Sequence, residues 1–182
     1  IESKMLRAEM SELGITGKDR IGPRSQHPLR PLLDRMTKAL GITEVELAVS
    51  NAVNRTRVLA GDEPWIVVPR ALLDLPEPSQ LASIARALAR IAMGVPWLEE
   101  LPPPHVEAYL VACARQVVPG FAADDLDVLS SKLVTQYESA IPRHIARRQK
   151  KILEELAPHI ASPQGRPLPV EVFIAGLARA EL

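Results

Sequence analysis

Apolar positions along the chain change their spacing twice. Leu32, Leu33, Met36 and Leu40 recur at the three-to-four-residue interval of a helix, and Gly41 follows as a stop signal. Ahead of them, residues 4–13 read as one short helix. Gly14, Gly17, Gly22, Pro23, Pro28 and Pro31 mark residues 14–31 as a connector. The texture then shortens: residues 46–49, 56–59 and 65–68 are brief β-branched or aromatic runs, separated by Asn51, Asn54, Gly61, Asp62 and Pro64. Such runs between turn residues predict two or three strands in a small sheet.

Beyond Pro69 the helical interval returns and persists. Pro78 and Ser79 start a helix with a stripe of Leu81, Ile84, Leu88 and Ile91, ended by Gly94 and Pro96. Pro102, Pro103 and Pro104 open the next, with Val106, Tyr109, Leu110, Cys113 and Val117 along one face. A third stripe, Leu126, Leu129, Leu133 and Tyr137, follows Asp124 and Asp125, whose carboxylates suit a helix N-terminus. Ile145, Ile152, Leu156 and Ile160 form a fourth. A turn at Ser162 to Gly165 leads to a last helix with Val170, Phe173, Ile174 and Leu177. The expected fold is therefore α+β and mainly helical, a small two- to three-stranded sheet followed by a helical bundle. Residues 1–27 would be a short helix and connector, and residues 28–182 the domain proper.

Composition narrows the function more than the fold. The chain has 182 residues, with 22 basic and 22 acidic side chains that cancel to a formal net charge of zero. That balance gives no reason to expect nucleic acid or a membrane surface as partner. No apolar stretch reaches the roughly 18–20 residues that span a bilayer, so membrane insertion is not expected. The lone cysteine, Cys113, sits in an apolar helical pattern and has no partner for an internal disulfide. This suits a reducing, cytoplasmic setting. The chain starts at Ile1 and stops at Leu182 within a helical pattern, which reads as a fragment of a larger protein.

One constellation carries a chemical argument. Trp65-Ile66-Val67-Val68-Pro69 is followed by Leu72-Leu73 and an acidic, proline-bearing turn. The helix from Gln80 to Gly94 comes next. This order resembles the catalytic core of gluzincin metallopeptidases of the HtpX and CAAX prenyl protease type. Their active helix reads approximately L-x-x-V-L-A-H-E-L-G-H-I-x-x-G. On that pattern Ala85, Leu88, Ile91 and Gly94 match. Arg86 stands where the first zinc histidine belongs, Ala87 where the general-base glutamate belongs, and Arg90 where the second histidine belongs. Zinc hydrolysis needs two neutral imidazoles at i and i+4 and a carboxylate to take a proton from the bound water. Arginine has no acceptor and stays protonated, so it repels a cation.

The resemblance implies a zincin-like core without catalytic, cofactor or metal residues, a pseudo-peptidase. The segments 94–105 and 162–169 are similar to C-terminal regions of large tetratricopeptide-repeat proteins of myxobacteria. The chain itself shows no repeat of about 34 residues. Leu81, Ile84, Leu88 and Ile91 share one helical face, with Arg86 and Arg90 nearly opposite it, away from the core. In the metallopeptidases that face looks into the substrate cleft. Arg86 and Arg90 are thus either ordinary solvated arginines or the lining of a vestigial, partner-binding cleft. The family's third zinc ligand has no assignable counterpart: Asp124, Asp125 and Asp127 stand nearest to it, and helix capping explains Asp124 and Asp125.

Other chemistry finds little support. His27, His105, His144 and His159 are scattered without ligand spacing, and no nucleotide-binding or serine-hydrolase motif occurs. The basic run Arg143 to Lys151 spreads around its helix. Lys18, Arg20, Arg24 and Arg30 in the connector would suit an acidic partner or a phosphate-bearing ligand, though Arg20 and Arg24 form only a common R-x-x-x-R spacing. The expectation is a non-catalytic module of a bacterial repeat scaffold that binds another protein and needs no cofactor. The alternatives are a structural cap for neighbouring helical repeats and an enzyme with a metal-free site.

Overall fold

The computed structural model describes residues 5–6, 10–61, 63–122, 126–160 and 170–180. Among the described residues, six α-helices and one three-stranded sheet make the fold α+β and mainly helical. The chain forms two compact units, Glu2–Glu100 and Leu101–Ala180.

In the first unit, α1 (Leu29–Leu40) precedes β1 (Glu46–Ser50), β2 (Arg57–Leu59) and β3 (Trp65–Pro69), and α2 (Glu77–Ala92) follows. The sheet order is β1-β3-β2. β3 is central, parallel to β1 with Leu47 opposite Ile66, and antiparallel to β2 with Val58 opposite Ile66. Side chains alternate between the two faces of a strand, and both faces here are covered. Leu47, Val58, Ile66 and Val68 join Leu29 and Leu33 of α1 and Ile84 and Leu88 of α2 in the main core. Ala48, Leu59 and Val67 point the other way, into a smaller cluster with Ile15, Val53 and the partly buried Met10 and Leu13. Burial on both faces explains why the central strand reads as a continuous apolar run instead of an alternation.

The segment taken from the sequence as a connector is part of this unit. Residue 20 bridges Ala48 in antiparallel fashion, the Ile21 amide donates to the Leu47 carbonyl at 2.8 Å, and the Val49 amide donates to that of Asp19 at 3.0 Å. Ile15 and Ile21 are buried. The glycines and prolines shape this path without excluding it from the core. A unit boundary falls after Glu100. Of the helix expected over residues 4–13, Met10–Leu13 form a 3-10 turn, and residues 4 and 7–9 lie outside the described residues.

The second unit holds α3 (Pro103–Arg115), α4 (Val128–Ala140), α5 (Arg147–Ile160) and α6 (Val170–Ala180). α3 packs against α4, α5 and α6. Small residues on α3, Ala108, Ala112 and Ala114, are buried and permit close approach. Across α3 and α4, Tyr109 meets Tyr137 edge-on at 5.7 Å, His105 Nδ1 lies 3.1 Å from the Tyr137 hydroxyl, and Arg115 pairs with Glu138 at 3.7 Å. Burial holds the Tyr137 phenol above its ordinary pKa.

Two expectations for α4 are corrected. Its N-cap is Asp127, whose Oδ1 accepts from the Ser130 amide at 2.7 Å. Asp124 and Asp125 lie outside the described residues, as does the turn at 162–165. The buried face runs through Ser130 and Val134, while Leu129 is 64% exposed. Counting leucines placed the stripe about one residue, or roughly 100°, off. The face that fits against α3 is chosen by small side chains that allow contact.

Candidate cleft between β2 and the arginine helix

α2 is a well-specified helix. Pro78 fits the first turn, where its missing amide costs nothing, and Glu77 offsets the positive end of the dipole. Ile84 and Leu88 are fully buried, with Ala87 nearly so and Leu81 and Ile91 partly buried against the same core. The apolar stripe seen in the sequence is thus the core face. The chain leaves the helix at Met93, and Gly94 adopts a left-handed φ of +73°, a conformation that residues with a Cβ rarely take.

The opposite side of α2 is not open water along its length. The start of β2 lies against it, and the 3-10 turn Pro96–Glu100 contacts both. Between them lies a pocket of about 190 Å³, with Arg55, Thr56 and Val58 on one wall and Ser83, Arg86, Ala87 and Arg90 on the other. The Thr56 and Ser83 hydroxyls, 2.6 Å apart, tie the two walls together.

Arg86 and Arg90 do share this pocket, but in different settings. Arg86 is exposed at the rim, whereas Arg90 is only 6% exposed. A solvated pair, one of the two readings open from the sequence, fails for Arg90. A helical wheel gives the direction of a side chain but not what the rest of the chain lays over it. Here β2 and the turn after the helix supply that cover. Arg55 was missed, because its place opposite α2 depends on strand order.

Zinc does not fit these positions. The donor set that would face a metal consists of two guanidiniums and a methyl group, none of which can donate a lone pair to a cation. Among the described residues, no three His, Cys, Asp or Glu side chains are grouped so as to hold a metal ion. Comparison with protein-family models, curated proteins and solved structures finds no match. The cleft must therefore be read from its own residues.

Two of the connector cations, Arg20 and Arg30, have internal roles. Arg20 donates from Nε and Nη2 to both oxygens of Glu46 at 2.6 Å and lies 5.9 Å from the centre of the Trp65 ring. That bidentate bond raises the Arg20 pKa, and Glu46 is only 8% exposed. Arg30 pairs with Asp34 at 2.7 Å, one helical turn away. These two side chains brace the fold. Among the described residues no helix is long and apolar enough to cross a membrane.

Proposed function

We propose that this chain is a non-catalytic protein-interaction domain, a pseudo-peptidase that binds a partner protein through the cleft between α2 and β2. In this reading it serves a cytoplasmic bacterial tetratricopeptide-repeat scaffold. The supporting observation is that positions 86, 87 and 90 line one cleft. The resemblance assigns those same positions to histidine, glutamate and histidine. Arginine, alanine and arginine there offer neither metal ligand nor general base, while the cleft itself persists with its walls tied by Thr56 and Ser83.

A second reading, a structural cap for neighbouring helical repeats, is favoured by exposed apolar side chains on the last two helices. Ile152 and Leu156 on α5, and Val172 and Phe173 on α6, are 42–68% exposed. Capping repeats use such faces against a neighbour.

Purified protein should contain less than stoichiometric zinc by elemental analysis and should leave casein intact. Affinity capture followed by mass spectrometry should identify a protein retained by the wild type and lost from Arg86→Glu/Arg90→Glu. Stoichiometric zinc with casein hydrolysis would overturn the dead-enzyme reading. Identical capture by a folded variant would overturn the cleft and leave the structural cap.

A further inference from the structure

We infer that two copies of this chain pair through α5, side by side and antiparallel, about a twofold axis close to Ile152. The helix has a covered side and an open one. Ala157 is fully buried, and Leu153 and Gln149, four and eight residues before it, are half-buried. One residue earlier at each step, about 100° round the helix, Arg148, Ile152 and Leu156 form an exposed ridge. Ile152 is 45% and Leu156 50% exposed, and apolar surface of this kind gains by leaving water for a partner.

The charges along α5 decide which partner fits. Its first half carries Arg147, Arg148, Lys150 and Lys151, and its second half Glu154 and Glu155, all exposed. This order works against the helix itself. Cations at the N-terminus face the positive end of the dipole, and lysine four residues before glutamate is the weaker orientation of such a pair. Among the described residues, none of the six forms an ion pair. An antiparallel copy answers both. It lays the acidic half of one helix along the basic half of the other and brings glutamates toward each positive helix end. Arg148 and Glu155 are seven residues apart, nearly two turns, so they lie on the same side as the ridge. A twofold axis midway between them sets Arg148 of each copy beside Glu155 of the other, with the two Ile152 side chains between. A uniformly anionic occupant, such as a lipid surface, would be repelled by Glu154 and Glu155. The helix is only about 21 Å long, less than the roughly 800 Å² per partner of a standard interface requires. The dimer is accordingly weak, forming at about 10–100 µM. It is separate from the cleft and competes with a repeat neighbour for the same ridge.

Sedimentation equilibrium of the full chain, from about 1 µM to 1 mM, should show a reversible monomer–dimer equilibrium that weakens as salt is added. Arg148→Glu and Glu155→Arg should each weaken it about tenfold, since the altered contact occurs twice across the axis. The double variant Arg148→Glu/Glu155→Arg should regain the affinity of the wild type, and a mixture of the two single variants should form the heterodimer. Ile152→Ser should weaken the dimer as well. These side chains are exposed, so melting curves at low concentration should match wild type and separate lost pairing from lost fold. A monomer at every concentration would overturn the inference and leave the ridge to a repeat neighbour. A dimer indifferent to the single reversals, or one not restored by the double reversal, would overturn it too, because a parallel pair sets Arg148 beside Arg148 and gains nothing from the exchange.

Discussion

Arg90 and Asp127 show how neighbours decide what a charged residue does. Arg90 lies on the polar side of its helix and is nonetheless 6% exposed. Burying a guanidinium costs several kcal/mol by general estimates unless hydrogen bonds and charge answer it. Asp127 is a simpler case. Its carboxylate accepts the backbone amide of Ser130, and that hydrogen bond, first among the causes, pulls its pKa below the ordinary carboxylate value. A lowered folded-state pKa stabilises the fold above the unfolded-state value, and the effect disappears as pH falls through the folded-state value. Asp127→Ala should therefore melt earlier than wild type at pH 7. The gap should close as the pH falls below the folded-state pKa of Asp127, where circular dichroism melts of the two would coincide.

At the scale of elements, α2 is committed on two sides. Its core face anchors the sheet, and its other side forms one wall of the cleft. Leu88 is fully buried in the main core. Leu88→Ala should cost about 2–5 kcal/mol, the usual range for such a truncation. Ala82, exposed on the same helix, should accept Ser within about 0.5 kcal/mol. Urea denaturation of the two variants distinguishes the cases. α1 ends as its sequence promises, with Gly41 at φ +68° and its amide near the Lys38 carbonyl. α4 is less legible. Its leucines suggested a face that tertiary packing set aside in favour of Ser130 and Val134.

For the whole molecule, charge balance has a direct consequence. With 22 basic and 22 acidic side chains the protein carries no formal net charge near neutrality. Self-repulsion between copies is then weakest. Solubility measured by polyethylene glycol precipitation should pass through a minimum near pH 7 and rise on either side. A monotonic curve would show that local patches, such as the exposed apolar side chains of α5 and α6, outweigh net charge. The two units have different cores. One is a covered sheet, and the other is a set of helices gathered on α3.

The sequence by itself determined the elements. Three short β-branched runs became β1, β2 and β3, and the stripe from Leu81 to Ile91 became the core face of α2. These follow from periodicity, since a helix or strand must direct its apolar side chains to one face or another whatever lies beyond. The sequence also showed which side chains stand at positions 86, 87 and 90. Only the tertiary structure decided that residue 20 bridges β1 and that Ile15 and Ile21 are buried, that Arg55 faces α2, and that Arg90 is covered while Arg86 is not. Each depends on strand order and on loops crossing a surface. Those arrangements arise from contacts between residues far apart in the chain, which no local spacing encodes.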